Sequence, residues 1–238
     1  FQAPQSKIDG YLDFSPGAGF PEININGRAD NLDWAENFFG LSLPMGKFDF
    51  EVQSINESRK IRVGLDLSGT QISYAGIDVQ SLKADIDMQN AEIADLFAWN
   101  GSTHLQVQNL KQGSLTVDQF SLQSSGNPGK LDFSSELSGN FHQDLQLALK
   151  GEAAMEKNGL ALTWQKIKGK WSRLPFELQG SSDMRLSGSG FFLDRTVFSL
   201  GRGQLSLASE LSKGKKAQFL AKFQDLEQRK AEEEIKLE

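Results

Sequence analysis

The side chains best suited to catalysis or metal binding are two histidines, His104 and His142, in a chain that has no cysteine. Nucleophilic catalysis or a metal site needs an imidazole or thiol close to partner side chains. His142 has Asp144 two residues later, and in a strand these two would share a face, which favours a polar pair over a metal ligand. His104 follows a turn-like Gly-Ser-Thr run and has no partner motif. Neither histidine predicts a catalytic or metal site.

The acidic residues follow a structural pattern. Asp85 and Asp87 alternate with Ala84, Ile86 and Met88, so both carboxylates are expected on the solvent side of a strand. Paired catalytic acids usually need a pocket that perturbs their pKa values, and nothing in this pattern indicates one.

Two glycine-rich strings could be mistaken for phosphate-binding loops. Ser187 to Gly190 and Gly201 to Gly203 lack the Lys-Ser/Thr that follows in such a loop. They predict turns or bulges instead. We therefore predict that the chain is not an enzyme and holds no cofactor or metal.

Composition and net charge limit the classes of binding partner further. A net charge of -6 and a pI near 5.1 argue against nucleic-acid binding, which needs a basic stripe. The densest basic patch falls mostly on one face of a strand and predicts a solvated outer face more than an anion site. This patch comprises Lys166, Lys168, Lys170 and Arg173.

The apolar content predicts a thin core. Hydrophobic residues make up 38% of the chain, below the ~45–50% usual for globular domains. Phe outnumbers Tyr by 17 to 2, and a surface rich in Phe suits hydrocarbon as well as an ordinary sandwich core. No apolar run approaches the ~20 residues that cross a bilayer, and the N-terminus lacks a signal-peptide pattern. The start at Phe1 and the ending Leu237-Glu238 lead us to expect a fragment of a longer protein.

The elements that must position these side chains are strands. From Lys47 to Val52 and from Ile61 to Leu67, every second residue is apolar, which is typical of half-buried antiparallel strands. Along the whole chain there are roughly fourteen to sixteen strand candidates, at the ~8–12-residue spacing of all-β folds. The sequence therefore predicts an all-β fold of antiparallel strands.

Two segments change to helical spacing. Asp30 to Phe39, with Asp30 or Asn31 as a cap, and Ala91 to Trp99 each predict a short helix. No linker divides the chain, so residues 1–224 are expected to form a single β domain. Residues 225–238 are highly charged and predict a tail or frayed helix.

The order of strands and turns resembles the repetitive region of the TamB and AsmA-like family, the inner-membrane component of the bacterial translocation and assembly module. The resemblance spans about Lys47 to Leu211, includes the short helix before a Gly-led strand, and is one of pattern. The residues that carry it are Leu145, Leu147, Leu149, Leu160, Leu162, Trp164, Trp171, Leu174, Pro175, Met184, Leu186, Val197, Leu200 and the run Gly203-Gln-Leu-Ser-Leu.

The resemblance implies an elongated, curled, taco-like antiparallel sheet, open along one side, whose concave face is a hydrophobic groove. It implies a section of a longer periplasmic array, anchored in the inner membrane of a diderm bacterium, that shields phospholipid acyl chains between the two membranes. An outer-membrane β-barrel protein of the assembly module would be a partner. The expected groove lining is Phe48, Phe50, Val52, Ile61, Val63, Leu65, Leu67, Leu145, Leu147, Leu149, Leu160, Leu162 and Trp164.

Two other interpretations stay open. Long sheets end in edge strands that can pair with a client strand, so the chain could be a chaperone-like platform for assembling outer-membrane β-barrel or autotransporter proteins. A closed sandwich or β-solenoid without a cavity is the third, although the ladders of identical residues typical of a solenoid are missing.

Overall fold

The computed structural model describes residues 6–14, 22–31, 45–57, 60–90, 99–156, 159–188, 190–212, 218–224 and 235–237, and all their regular structure is β-strand. The predicted all-β fold of antiparallel strands is confirmed. The strands are β1 (Ser6–Asp13), β2 (Glu22–Asn31), β3 (Met45–Glu57), β4 (Lys60–Tyr74), β5 (Ile77–Asn90), β6 (Asn100–Gln112), β7 (Leu115–Asn127), β8 (Lys130–Asn140), β9 (Asp144–Glu156), β10 (Gly159–Trp171), β11 (Leu174–Leu178), β12 (Ser182–Ser187), β13 (Gly190–Leu200), β14 (Gly203–Ser212), β15 (Gln218–Gln224) and β16 (Ile235–Leu237).

The chain divides into two compact units. Unit 1 comprises Phe1–Asn127 and Leu137–His142, and unit 2 comprises Pro128–Glu136 and Gln143–Glu238. In unit 1 the strands β1 to β7 pair antiparallel in sequence order, each with the next. A two-residue turn, Ala75-Gly76, joins β4 to β5, and both residues have positive φ, as type I′ hairpin turns require.

Unit 2 has one departure from a simple meander. β9 pairs with β10, and β13 to β16 pair in order. Between β10 and β13 lie two short strands end to end. β11 pairs with the last residues of β10, and β12 pairs with its first residues. Both short strands also pair with β13, so together they occupy the place of one long strand.

Three neighbouring positions in unit 2 break the strand register. β10 has a bulge at Gln165, β11 and β12 are separated by residues 179–181, and β13 has a bulge at Asp194-Arg195. The breaks lie side by side on neighbouring strands. Trp164, which directly precedes the bulge in β10, pairs with Ser182, the first residue of β12. We call this row of breaks the crease. Because an extra residue in one strand bends it and increases the local twist, the crease separates two regular halves of the unit.

The buried apolar residues of unit 1 lie on one side of the sheet. Ala29, Phe48, Ile61 and Val107 are buried, and Ala29 lies directly opposite Phe48 in the β2 and β3 register. Every extensive contact between described strands of a unit joins sheet neighbours. Most of the other large apolar side chains on this side, such as Phe50, Val52 and Leu65, are only half-buried.

Some local predictions were wrong. His104 lies within β6, although a turn was expected, and His142 lies in the turn between β8 and β9 with a φ of 65°, so it does not share a strand face with Asp144. Ile235–Leu237 forms β16, where a tail or helix was expected, because two apolar residues flank Lys236 in strand alternation.

The predicted helices fall largely on segments 32–39 and 91–98, which lie outside the described residues, whereas Asp30 and Asn31 end β2. Within the part of the chain that the structure describes, no helix has the length and apolar composition needed to span a membrane.

Candidate functional site

One side of unit 1 is mainly apolar, with a few uncharged polar residues such as Ser54 and Asn90 among the apolar ones. In β3 and β4, Phe50 lies opposite Leu67 and Val52 lies opposite Leu65. The register of β4 and β5 continues this row, because Leu65 also lies opposite Ile86. Residues directly opposite in an antiparallel pair point to the same side. We call this side the apolar face and the opposite side the polar face.

The same division holds in unit 2. Leu145, Leu147 and Leu149 alternate along β9, and Leu149 lies opposite Ile167 of β10. Beyond the Gln165 bulge, Gly151 lies opposite Trp164 and Ala153 lies opposite Leu162. The bulge is what keeps both halves of β10 on one face, since without it the alternation would place Trp164 and Ile167 on opposite faces.

The structure thus brings the predicted lining residues onto the apolar face of their own units. On β3 and β4 of unit 1 these residues are Phe48, Phe50, Val52, Ile61, Val63, Leu65 and Leu67. On β9 and β10 of unit 2 they are Leu145, Leu147, Leu149, Leu160, Leu162 and Trp164. Sequence reasoning left out the continuation of the face on neighbouring strands, although the same alternation signals it. The added residues are Ile23, Ile25, Leu82, Ala84, Ile86, Leu105, Val107, Phe120 and Leu122 in unit 1, and Phe133, Ile167, Phe176, Met184, Phe198, Leu205 and Leu207 in unit 2.

The apolar face of unit 2 is open at its margins. Met155 and Leu186 lie on either side of Leu160 in the sheet and are 57% and 52% exposed. At the other end of β10, Trp171 and Leu174 face each other and are also exposed. An aromatic contact supports the middle of the face, where the rings of Phe133 and Trp164 meet edge to face at 5.4 Å. Large apolar side chains therefore meet solvent at both ends of the strands.

The polar face of unit 1 carries a row of three carboxylates and one imidazole. Glu51 on β3 lies opposite Asp66 on β4, Asp66 lies opposite Asp85 on β5, and Asp85 lies opposite His104 on β6. The hydrogen bond that Asp66 shares with Asp85 raises the pKa of Asp66, and the partial burial and the negative charges of Asp85 and Glu51 act in the same direction. His104 Nδ1 lies 3.7 Å from an Asp85 carboxylate oxygen.

A cavity of about 620 Å³ lies over this row, lined among others by Arg62, Asp66, Asp87, His104 and Gln123. Arg62 forms a two-pronged ion pair with Asp87, with N–O distances of 2.6 and 2.9 Å. Among the described residues no three carboxylate or imidazole groups are placed to hold a metal ion. The row can share protons and ion pairs, but no side chain in it is arranged as an activated nucleophile.

The basic patch lies on the polar face of unit 2. Lys166, Lys168 and Lys170 alternate with the apolar-face residues of β10, and Lys166 lies directly opposite Lys150. Lys168 Nζ is 3.6 Å from a carboxylate oxygen of Glu177, in an exposed ion pair. The predicted position of these lysines on one strand face is confirmed.

No protein-family model, no curated protein and no solved structure matches this chain. The contrast between the apolar face and the polar face is therefore the basis for inferring a function.

Proposed function

We propose that the apolar face shields phospholipid acyl chains, as a section of a periplasmic bridge protein that carries lipid between the inner and outer membranes. One observation carries this proposal: each unit presents an apolar face whose side chains, apart from Phe48 and Ile61 among the predicted lining residues, are only half-buried. Covering such a face with apolar groups is favourable, by about 25 cal/mol for each Å² removed from water.

Acyl chains fit the chemistry of the face. On the apolar face of unit 1, none of the positions from Phe48 to Ser54 on β3 or from Ile61 to Gly69 on β4 carries a charged residue. A lipid chain would gain about 0.8 kcal/mol for each buried CH₂. Phe, Leu, Ile and Val offer many equivalent contacts without hydrogen bonds that would fix the position of the chain. Such contacts hold a lipid and still let it move along the face, as transport requires.

The location and partners come from the resemblance to the TamB and AsmA-like family. In that setting, the chain is one section of an inner-membrane-anchored array that meets an outer-membrane β-barrel partner in a diderm bacterium. The exposed margins near Met155 and Trp171 suit a surface that an acyl chain enters from the side. The proposal requires no catalytic residue and no cofactor.

Native mass spectrometry, with lipid identification after denaturing extraction, tests the proposal. We expect phospholipid of varied species to co-purify with the wild-type chain and to be lost from Leu147→Asp and Leu162→Asp, because a charge among acyl chains is strongly unfavourable. Ala148→Asp and Ala161→Asp are the matched controls. Each is adjacent to the substituted leucine on the same strand but lies on the polar face, and each should retain lipid.

Circular dichroism establishes that each variant keeps its strand content. Equal lipid occupancy in a folded Leu162→Asp chain would falsify the assignment of the apolar face. A wild-type chain that purifies as a lipid-free monomer from membranes and from cell extracts alike would overturn the transport function itself.

The alternative, a platform for assembling outer-membrane proteins, is favoured by β1. Among the described strands, β1 pairs only with β2, so one edge of its backbone is open to a client strand. Its Tyr11 and Leu12 are exposed. A photo-crosslinker at Asp9 of β1 that captures client strands would favour assembly, whereas capture of lipid at Leu162 favours transport.

A further inference from the structure

The apolar face of unit 2 contains three buried hydroxyl groups beside the crease. Ser182 on β12, Thr196 on β13 and Ser209 on β14 are only 2%, 4% and 4% exposed. Ser182 lies opposite Trp164, and Ser209 lies opposite Leu193, so all three positions belong to the apolar face. We call these three residues the hydroxyl seam.

Two of the three hydroxyls satisfy one another. The side chains of Ser182 and Thr196 are hydrogen-bonded, and Thr196 Oγ1 also donates to the carbonyl oxygen of Asp194 in the β13 bulge, at 2.9 Å. The bulge therefore has a local role, because it supplies a backbone acceptor to a threonine that lies among apolar side chains.

Ser209 differs from its neighbours in the seam. Its Oγ is buried, yet among the described residues it has no hydrogen-bond partner. A buried hydroxyl without a partner is unfavourable, and native chains usually satisfy such groups with protein, water or ligand atoms. An alanine at this position would avoid that penalty and would keep the strand alternation Leu205, Leu207, Ser209 intact.

Apolar side chains lie on both sides of the seam. Leu162, Met184 and Leu193 lie level with Ser209 in neighbouring strands. Toward one end of the strands are Leu186 and Phe191, and toward the other are Leu178 and Phe198. A ligand that covers this region would therefore meet apolar side chains together with one buried hydroxyl donor. An ester lipid suits both, since its acyl chain is hydrocarbon and ends in a carbonyl oxygen that accepts a hydrogen bond.

We propose that the hydroxyl seam binds the carbonyl group of an acyl ligand, with the Ser209 hydroxyl as the hydrogen-bond donor and the flanking side chains covering the hydrocarbon. This inference rests on the proposed acyl-binding function and gives it a polar anchor point. The hydroxyl is covered in the free chain, so the neighbouring side chains must rotate aside when a carbonyl enters. The crease lies beside it, where fewer strand hydrogen bonds constrain the sheet.

Titration calorimetry with the full chain tests the proposal with three soluble probes. Dioctanoyl phosphatidylcholine has ester carbonyls, its dioctyl ether analogue has none, and decanoate carries a free carboxylate. We expect Ser209→Ala to weaken binding of the ester lipid about three- to tenfold, the value of one hydrogen bond, and to leave binding of the ether lipid unchanged. A matching loss for decanoate would show that free fatty acids also use the seam.

Ser206→Ala is the control variant, because Ser206 lies on the same strand but on the polar face, where it accepts a hydrogen bond from Arg195 Nε at 3.3 Å. It should bind all three probes as the wild type does. A second measurement separates ligand binding from a role in folding. Without lipid, Ser209→Ala should unfold at an equal or higher urea concentration than wild type, since it removes an unsatisfied polar group.

The possible results distinguish the carbonyl site from the acyl-binding function. If the wild type binds ester and ether lipids equally and Ser209→Ala changes neither, the carbonyl site is wrong and the acyl-binding function stands. If the wild type binds none of the probes, both proposals fail. If Ser209→Ala lowers the urea midpoint of the lipid-free chain and weakens the ester and ether lipids alike, the hydroxyl is structural and the site is overturned.

Discussion

At the scale of single residues, the carboxylates of Asp66 and Asp85 face each other directly across β4 and β5, with Glu51 beside them. Like charges at directly opposed strand positions destabilise a sheet. We expect Asp66→Asn to raise the free energy of unfolding at pH 7 by up to about 1 kcal/mol, a small value because solvent screens this exposed row. Urea denaturation measures it.

The pH dependence of this gain has a definite sign. The pKa of Asp66 in the folded chain is raised above its ordinary value of 3.8, so protonation favours the folded state and the wild type loses that stability as the pH rises through the folded pKa. The advantage of Asp66→Asn should therefore disappear below the ordinary pKa. Asp87→Asn, which breaks the ion pair with Arg62, should instead destabilise at pH 7. An equal gain for Asp66→Asn at acidic and neutral pH would contradict the carboxylate pairing.

A second residue-scale prediction concerns the turn between β4 and β5. Ala75 has a φ of 50° and is followed by Gly76 at 80°, and a left-handed conformation is unfavourable for alanine. Asn tolerates it and is preferred in this turn type. Ala75→Asn should raise the free energy of unfolding by about 0.5–1 kcal/mol, measured by thermal denaturation. Ala75→Val, with a branched β-carbon, should lower it, and a gain from valine would show that the turn has another geometry.

At the scale of strands, two glycines within strands should respond in opposite ways to the same substitution. A β-carbon at Gly169 on β10 would clash with the Gln146 carbonyl oxygen and the Phe176 ring, whereas one at Gly64 on β4 would meet no atom within 4 Å. Gly169→Thr should cost about 1–3 kcal/mol of stability. Gly64→Thr should gain about 0.5–1 kcal/mol, because threonine favours a strand. Urea midpoints of both variants decide this, and destabilisation by Gly64→Thr would mean that the open space is filled.

Strand alternation was enough to predict the all-β fold, and to place Phe50 with Leu67 on one face of unit 1 and Leu147 with Leu162 on one face of unit 2, because side-chain direction repeats every two residues. Alternation says nothing about pairing between distant segments. The crease could not be predicted, since it depends on how β10, β11, β12 and β13 align. The Gly-Ser-Thr run before His104 suggested a turn, but pairing on both sides of β6 outweighed that local preference.

The hydroxyl seam had a sequence signal that was missed. In β14 the alternating positions read Leu205, Leu207 and Ser209, so a polar residue stands where the pattern demands an apolar one. Sequence alone could not show that Ser182 and Thr196 satisfy each other while Ser209 has no partner, because that depends on side chains from three strands.

At the scale of the whole molecule, few of the large apolar side chains that the structure describes are buried. Of the thirteen predicted lining residues, Phe48 and Ile61 alone are buried, and Met155, Trp171 and Leu186 at the margins are more than half exposed. An ordinary chain of 238 residues would unfold with a heat-capacity change of about 2.9–3.6 kcal/mol/K.

We expect the lipid-free chain to unfold with a heat-capacity change clearly below that range, because less apolar surface is transferred to water. Differential scanning calorimetry at several pH values measures it, and saturation with dioctanoyl phosphatidylcholine should raise the value toward the ordinary range. A lipid-free chain that already shows the ordinary value would mean that its apolar face is covered by the chain itself.

The strand order within the units has a kinetic consequence. Nearly every described strand pairs with its predecessor in the chain, and several connections, such as those from β3 to β4, β4 to β5, β6 to β7 and β9 to β10, are only two residues long. All-β proteins usually fold slowly because their strands must find partners far away in sequence. Here each new strand finds its template in the segment made just before it, so a chain that emerges gradually from a ribosome or a membrane channel could add strands one by one as they appear.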